Sequence, residues 1–437
     1  MDDEIIMPLW LCEKVSTMEP SPSLVLRNVT LPSGRVADIT LTEGKVAHVG
    51  SYKGHADQCN CTGLFVVPAA VDMHVHMRGG VQSAKEDWTS GSMSAIAGGV
   101  TVVVDQPNAV PPVATPGALA DRIHNAKSHS YCHFAINSSV TPDTPLEALW
   151  EAGAMAFGET FFAPSSYSEA IDGMALGAAL DRIQRMEGLA TIHAELVTSS
   201  PGTDLPSHDR TRSPEGEAEA VRAVKHLNRS GCRLHFCHMS SARSVDAAPG
   251  SVEVTPHHLF LSWDRFDRND TSVKVNPPLR TETERKNLWK RWERIDVIAS
   301  DHAPHTVTEK SQEFASAPSG IPGVETMMPL LLAQVIAKKI DLPSVIEKTS
   351  HAPARLLGIP RAGFEIGDRA DFSLCPKIPE PVVAESLHSR CGWTPFGGHM
   401  ALFPKTVIMN GTIVYREGDF FRQEPIWYPG KGFRATR

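Results

Sequence analysis

Eight short β-rich runs, most separated from the next by a segment of helical period, dominate the middle of this chain. They fall at 71–76, 101–108, 133–139, 155–162, 190–195, 234–241, 252–258 and 295–305. Helical periodicity fills most gaps, at 85–97, 116–127, 146–151, 169–186, 215–228 and 283–293. Regular alternation of this kind makes a parallel sheet covered by helices, and eight units favour closure into a TIM-type (β/α)8 barrel. No G-x-G-x-x-G or P-loop follows the first run, which argues against an open dinucleotide-binding sheet. Two further helices are expected at 324–339 and 344–357. Strands return at 370–375 and 407–415, the latter with an Asn410-Gly411 hairpin turn. Near the start, short strands at 24–27, 37–41 and 45–49 are punctuated by Gly34 and Gly44. The strand-rich ends, 23–66 and 363–437, are therefore expected to meet as a small β-sandwich domain. The barrel would occupy 67–362, and an irregular segment with Pro20 and Pro22 would occupy 1–22.

Composition narrows the function classes. With 437 residues, 41% hydrophobic and 21% charged, the chain can bury a full core, which excludes a disordered, collagen-like or small disulfide-framed protein. The net charge is −8 and Lys and Arg form no long block, so nucleic acid is not an expected partner. The longest apolar stretches, 64–71 and 327–337, are too short for a membrane span. The acidic start, Met-Asp-Asp-Glu, lacks the features of a signal peptide. A soluble cytoplasmic protein is expected. Its eight scattered cysteines read as reduced thiols.

The active site of such a barrel lies at the C-terminal ends of its strands, and the chemistry-bearing residues fall there. His74-x-His76 ends the first run, so period-two alternation points both imidazoles to one face. Later runs carry Glu159, His193, His238 and Asp301 at or near their ends. One H-x-H pair is weak evidence. Ligand-type residues at several strand ends of one barrel point to a divalent metal.

This pattern resembles the amidohydrolase superfamily, and within it the dihydroorotase family. The similar stretches are 72–78, Pro107-Asn108 before Pro111-Pro112, 255–260, 275–280, 300–306, 320–325 and Trp393-Thr-Pro-Phe396. The resemblance implies His74, His76, His193, His238 and Asp301 as metal ligands. It also implies a cofactor of two Zn²⁺ ions, with one as the alternative. The strand-four lysine usual in the family, carboxylated to bridge two metals, is missing: no lysine lies between Lys127 and Lys225. Glu159 stands in its place and already carries a carboxylate. It is shorter than a carboxylated lysine, and Gly158 would let the backbone approach. The alternative is that Glu159 is a salt-bridged barrel residue beside a single metal.

Asp301 would be the catalytic proton carrier. Arg78, Asn108 and His305 would clamp a substrate carboxylate. Asn276 and the backbone of Pro318 and Gly320 would meet the substrate ring. The implied reaction is the reversible cyclisation of N-carbamoyl-L-aspartate to L-dihydroorotate, in pyrimidine synthesis. The alternatives are another cyclic amidase, of hydantoinase or allantoinase type, and a catalytically silent structural homologue. A homodimer and association with aspartate transcarbamoylase are the partners implied. Cys237 and Glu253, with His193, could support a further metal; the plainer reading is a buried thiol and an ion pair. His257 and His258 read as packing residues, and Lys85, Glu86 and Asp87 as a solvated first helical turn.

Overall fold

The computed structural model describes residues 23–162, 170–197 and 202–435. The expected irregular segment 1–22 lies outside the described residues. Eight parallel strands form in the expected order: β1 (Ala70–Val75), β2 (Val100–Asp105), β3 (His133–Ile136), β4 (Phe157–Phe161), β5 (Leu189–His193), β6 (Arg233–Phe236), β7 (Ser251–Val254) and β8 (Val297–Ile298). Pairing runs β1–β2–β3 and β4–β5–β6–β7–β8. Parallel bridges Ser138↔Phe157 and Val75↔His302 join the two groups at both ends, so the strands make one ring. The strands are buried along nearly their whole length, as covered parallel strands must be; in Val-Thr-Val-Val-Val-Asp of β2 every residue is buried.

The intervening helices begin where the sequence supplies caps. Thr115 caps Pro116–His129 and Ser213 caps Pro214–Leu227, each with proline in its first turn. Two expectations shift. β7 stops at Val254, because Pro256 opens a short helix, Pro256–Phe260. β8 is only two residues long, since the backbone bends into positive φ at Asp301.

Strands from both ends of the chain form one nine-stranded sheet. Its N-terminal part reaches Phe65–Pro68, which pairs antiparallel with Phe372–Cys375. The hairpin Thr406–Met409 and Thr412–Arg416 turns at Asn410-Gly411, both at positive φ, as the dipeptide demands. Leu26, Ile39, Phe372 and Ile408 share its buried cluster. Two C-terminal stretches leave this sheet for the barrel. Ile426–Tyr428 hydrogen-bonds to Phe134 of β3. Residues 388–393 lie on the active-site loops, as described below. Among the described residues no helix is long and apolar enough to cross a membrane.

Candidate metal and substrate site

At the C-terminal end of the ring, four imidazoles and the carboxylates of Glu159 and Asp301, from five strands, converge with almost no solvent exposure. Glu159 on β4 is central. Its Oε1 lies 2.8 Å from His193 Nδ1 and 2.7 Å from His238 Nε2, while Oε2 lies 3.6 Å from His74 Nε2. Asp301 Oδ1 lies 3.1 Å from His76 Nε2 and 3.5 Å from His74 Nε2. The candidate ligand atoms form two compact sets, His74–His76–Glu159 and Glu159–His193–His238, each within 4.8 Å. Glu159 belongs to both.

Gly158 makes this approach possible. It sits at φ +119°, and a Cβ there would lie 2.7 Å from the Thr160 amide nitrogen and collide with the Thr191 carbonyl oxygen. Backbone bends aim other members. Arg78, His238 and Asp301 all adopt positive φ, uncommon for residues with a Cβ and a recurrent mark of functional sites. In β1 the register shifts between Asp72 and Val75. There the Asp72 carboxylate accepts hydrogen bonds from the amides of His74 and Ser300, tying the first strand to the eighth.

The electrostatics follow from packing carboxylates against imidazoles away from water. Burial opposes the Glu159 charge most, but the His74 charge and hydrogen bonds from His193 and His238 hold its carboxyl well below the ordinary range. Burial likewise opposes charge on His74 and His193. Glu253, Asp301 and Glu159 nevertheless hold His74 well above its usual value, and Glu159 and Glu195 raise His193 to about 9.

A divalent cation fits this donor set. The buried Nε2 of His74 has no hydrogen-bond partner and faces two carboxylates. Imidazole and carboxylate are the ligands that zinc takes. Two of the four imidazoles, those of His74 and His193, are also steered from behind. His193 Nε2 and Arg212 both reach Glu195 Oε2, at 2.6 Å each. Glu253 meets His74 Nδ1 at 3.0 Å and His235 Nε2 at 3.1 Å, and accepts from the His238 amide.

Cys237, Glu253 and His74 form a third compact set. The expected third member was His193; the structure instead places His74 there, its Nδ1 3.0 Å from Glu253 Oε1. Burial pushes the Cys237 thiol up to about 12, with the Glu253 charge adding to the effect. His257 and His258 are buried on the short helix after β7, with His258 Nε2 donating to the Pro277 carbonyl, which suits packing residues.

A cavity of about 430 Å³, counted to its open mouth, adjoins the ligands. Arg78, Asn108, Asn276 and Gly320 line it with His76, Glu159, His193 and Asp301. Arg78 is 2% exposed, and Asn108 Oδ1 is buried without a hydrogen-bond partner. His305 and Pro318 are not on this wall. His305 Nε2 donates to the Ser319 carbonyl at 3.1 Å, and the Pro318 carbonyl turns away to accept from Lys310. Ser319 takes their place on the surface.

Lys85 and Glu86 do not form a solvated turn. The helix begins at Trp88, capped by Asp87. Lys85 pairs with Glu309 at 2.7 Å and approaches His305 Nδ1 at 3.4 Å. Glu86 is fully buried, 3.3 Å from His302 Nε2. Glu195, two positions beyond His193 and just past the end of β5, is legible in the sequence as a strand-end carboxylate, whereas nothing in the local pattern marks the contacts of Lys85 and Glu86.

The chain matches the Amidohydrolase family over residues 65–414. It is 38% identical to a dihydroorotase of Halobacterium salinarum over 409 residues, covering 90% of this chain and 97% of that protein. It is 35% identical to a dihydroorotase of Methanosarcina acetivorans over 449 residues, covering 94% and 95%. Among solved structures, L-hydantoinase (dihydropyrimidinase) from Arthrobacter aurescens superposes with a TM-score of 0.86 at 24% identity, over 94% of this chain and all of that one. That likeness carries the fold.

Proposed function

The chain belongs to the amidohydrolase family, and from that premise we propose that it is a metal-dependent dihydroorotase with Glu159 in the place of a carboxylated lysine. The observation that carries this reading is the meeting of two ligand sets on Glu159. His74, His76 and Asp301 would hold one zinc ion, His193 and His238 a second, and Glu159 would reach both. Zinc, when bound, supplies Lewis acidity that acidifies water and polarises an amide carbonyl. Cys237 and Glu253, beside His74, are the candidates for a third position.

The protein's own groups account for the rest of the reaction. Asp301 takes a proton from the attacking water and delivers it to the ring nitrogen as the amide C–N bond breaks. Ring closure runs the same transfers in reverse. Arg78, buried at the cavity wall, offers a planar fork to a carboxylate. Asn108, on the same wall, would donate its side-chain amide N–H to that carboxylate. His305 acts through Ser319, and Asn276 and Gly320 shape the wall facing the ring. Dihydroorotate carries the carboxylate this arrangement suits, whereas hydantoin and allantoin carry none.

The test is zinc per chain, measured beside dihydroorotate hydrolysis on one sample. Near two zinc ions with turnover supports the reading, and about one with turnover demotes Glu159 to a structural carboxylate. Bound zinc with turnover of hydantoin but not dihydroorotate overturns the substrate. Asp301→Ala should abolish turnover; substantial residual activity would remove Asp301 from its role.

A further inference from the structure

The substrate-facing wall is largely loop. Val275, Asn276, Ser319 and Gly320 line the cavity but belong to no barrel strand. Loops hold a binding geometry only where something fixes their backbone. Here the wall is cross-linked at Ser319, whose hydroxyl donates to Asn276 Oδ1 at 3.1 Å and whose carbonyl accepts from His305.

Behind it lies Lys310, 4% exposed, at the end of the short helix Val307–Lys310. Its Nζ donates to the carbonyls of Lys274 at 2.9 Å, Pro318 at 3.1 Å and Gly320 at 3.0 Å. All three ammonium donors are thus spent on wall backbone. Two of these carbonyls flank Ser319, and the third is two residues before Asn276. The Gly320 amide donates to the same Lys274 carbonyl at 3.0 Å. The Trp393 ring closes the group, its centroid 5.8 Å from Nζ, while its indole N–H donates to the His305 carbonyl at 2.8 Å. Trp393 arrives from outside the barrel on a segment anchored by Arg390 to Asp87 at 2.6 Å and by Ser389 to Glu86.

We propose that Lys310 and Trp393 act as a pair of positioning residues for the substrate wall. Lys310 sets the backbone on either side of Ser319, and Trp393 fixes His305, which sets the Ser319 carbonyl. Neither residue touches a metal-ligand candidate or the cavity itself. Their loss is therefore felt in substrate binding before metal content or chemistry. This inference rests on the reading of the cavity as the dihydroorotate site.

The experiment compares zinc content, kcat and KM for dihydroorotate in the unmodified enzyme, Lys310→Met and Trp393→Phe. The Met variant keeps the apolar stem and loses all three donors; KM should rise about tenfold with kcat within about twofold and zinc unchanged. The Phe variant keeps an aromatic ring for the ammonium and loses only the indole donor; KM should rise about threefold. If Lys310→Met does not fold, Trp393→Phe decides. Unchanged KM in the variants of an enzyme that turns over dihydroorotate overturns this inference alone, as does a tenfold fall in kcat at constant KM. An unmodified protein that binds zinc yet does not hydrolyse dihydroorotate overturns the functional reading as well.

Discussion

Replacing Glu159 by Gln keeps the shape of the central ligand and removes its charge. The carboxylate reaches His193 and His238 with one oxygen and faces His74 with the other, at 2.7 to 3.6 Å. Its ligand atoms lie within 4.8 Å of those in both sets. A unit charge about 4 Å from another is worth about 4 kcal/mol at the effective dielectric suited to protein sites, and a divalent ion feels more. Part of that gain offsets desolvation of the carboxylate, so about 4 kcal/mol is a fair net figure. It corresponds to about a thousandfold in zinc affinity. Equilibrium dialysis in zinc-buffered solutions, with metal analysis of the retained protein, reads this directly. The variant should hold one zinc ion or none where the unmodified chain holds two, and dihydroorotate hydrolysis should fall at least about a hundredfold. A Glu159→Gln protein that binds two zinc ions with unchanged affinity would refute the bridging argument. One zinc ion in both proteins would show that Glu159 serves the barrel and not the metal.

Three other expectations follow from the same geometry. Gly158→Ala should destabilise the fold by about 2–5 kcal/mol, since the added carbon meets backbone and the positive φ is lost; denaturant unfolding with an unchanged midpoint would contradict it. Arg78→Lys should raise KM for dihydroorotate about tenfold or more with a smaller change in kcat, because a point charge replaces a two-donor fork; equal KM values would remove Arg78 from carboxylate binding. Zinc affinity should climb with pH through neutrality. His193, held protonated up to about 9 by its carboxylate neighbours, must release a proton to bind. Affinity should therefore rise about tenfold per pH unit below about 9, more steeply if His74 also releases one. A flat profile between pH 7 and 8.5, read by competition with a chelator, would count against that protonation state.

The sequence made some parts of this molecule plain for physical reasons. Covered parallel strands are apolar throughout, so the eight runs stood out against helices of a different period. His74-x-His76 was readable because alternation along a strand puts both rings on one face. Glu159 was readable by subtraction, from a segment with no lysine. Strand ends were less legible. β8 stops at Ile298 because Asp301 must bend to face His76, and nothing in Ser300-Asp301-His302 announces a positive φ. Asp301 has a Cβ like its neighbours, so only the site it serves explains its conformation.

The residues that escaped have a common cause. Lys85 and Glu86 carry the composition of a solvated first turn, and local pattern alone supports nothing else. Their surroundings are set by Ser389 and Arg390, about three hundred positions later in the chain, and by Glu309 and His305, which follow the neighbouring strand β8. Lys310 is similar. By residue type it belongs at the surface, yet three carbonyls that no side-chain pattern reveals hold it inside. Metal-ligand candidates are read from sequence because their chemistry is in the side chain and their spacing is local. The groups that hold the substrate wall use backbone acceptors and long-range partners, so they become visible only once the chain has folded. It follows that variants of Lys310 and Trp393 separate binding from chemistry, whereas variants of the histidines remove both together.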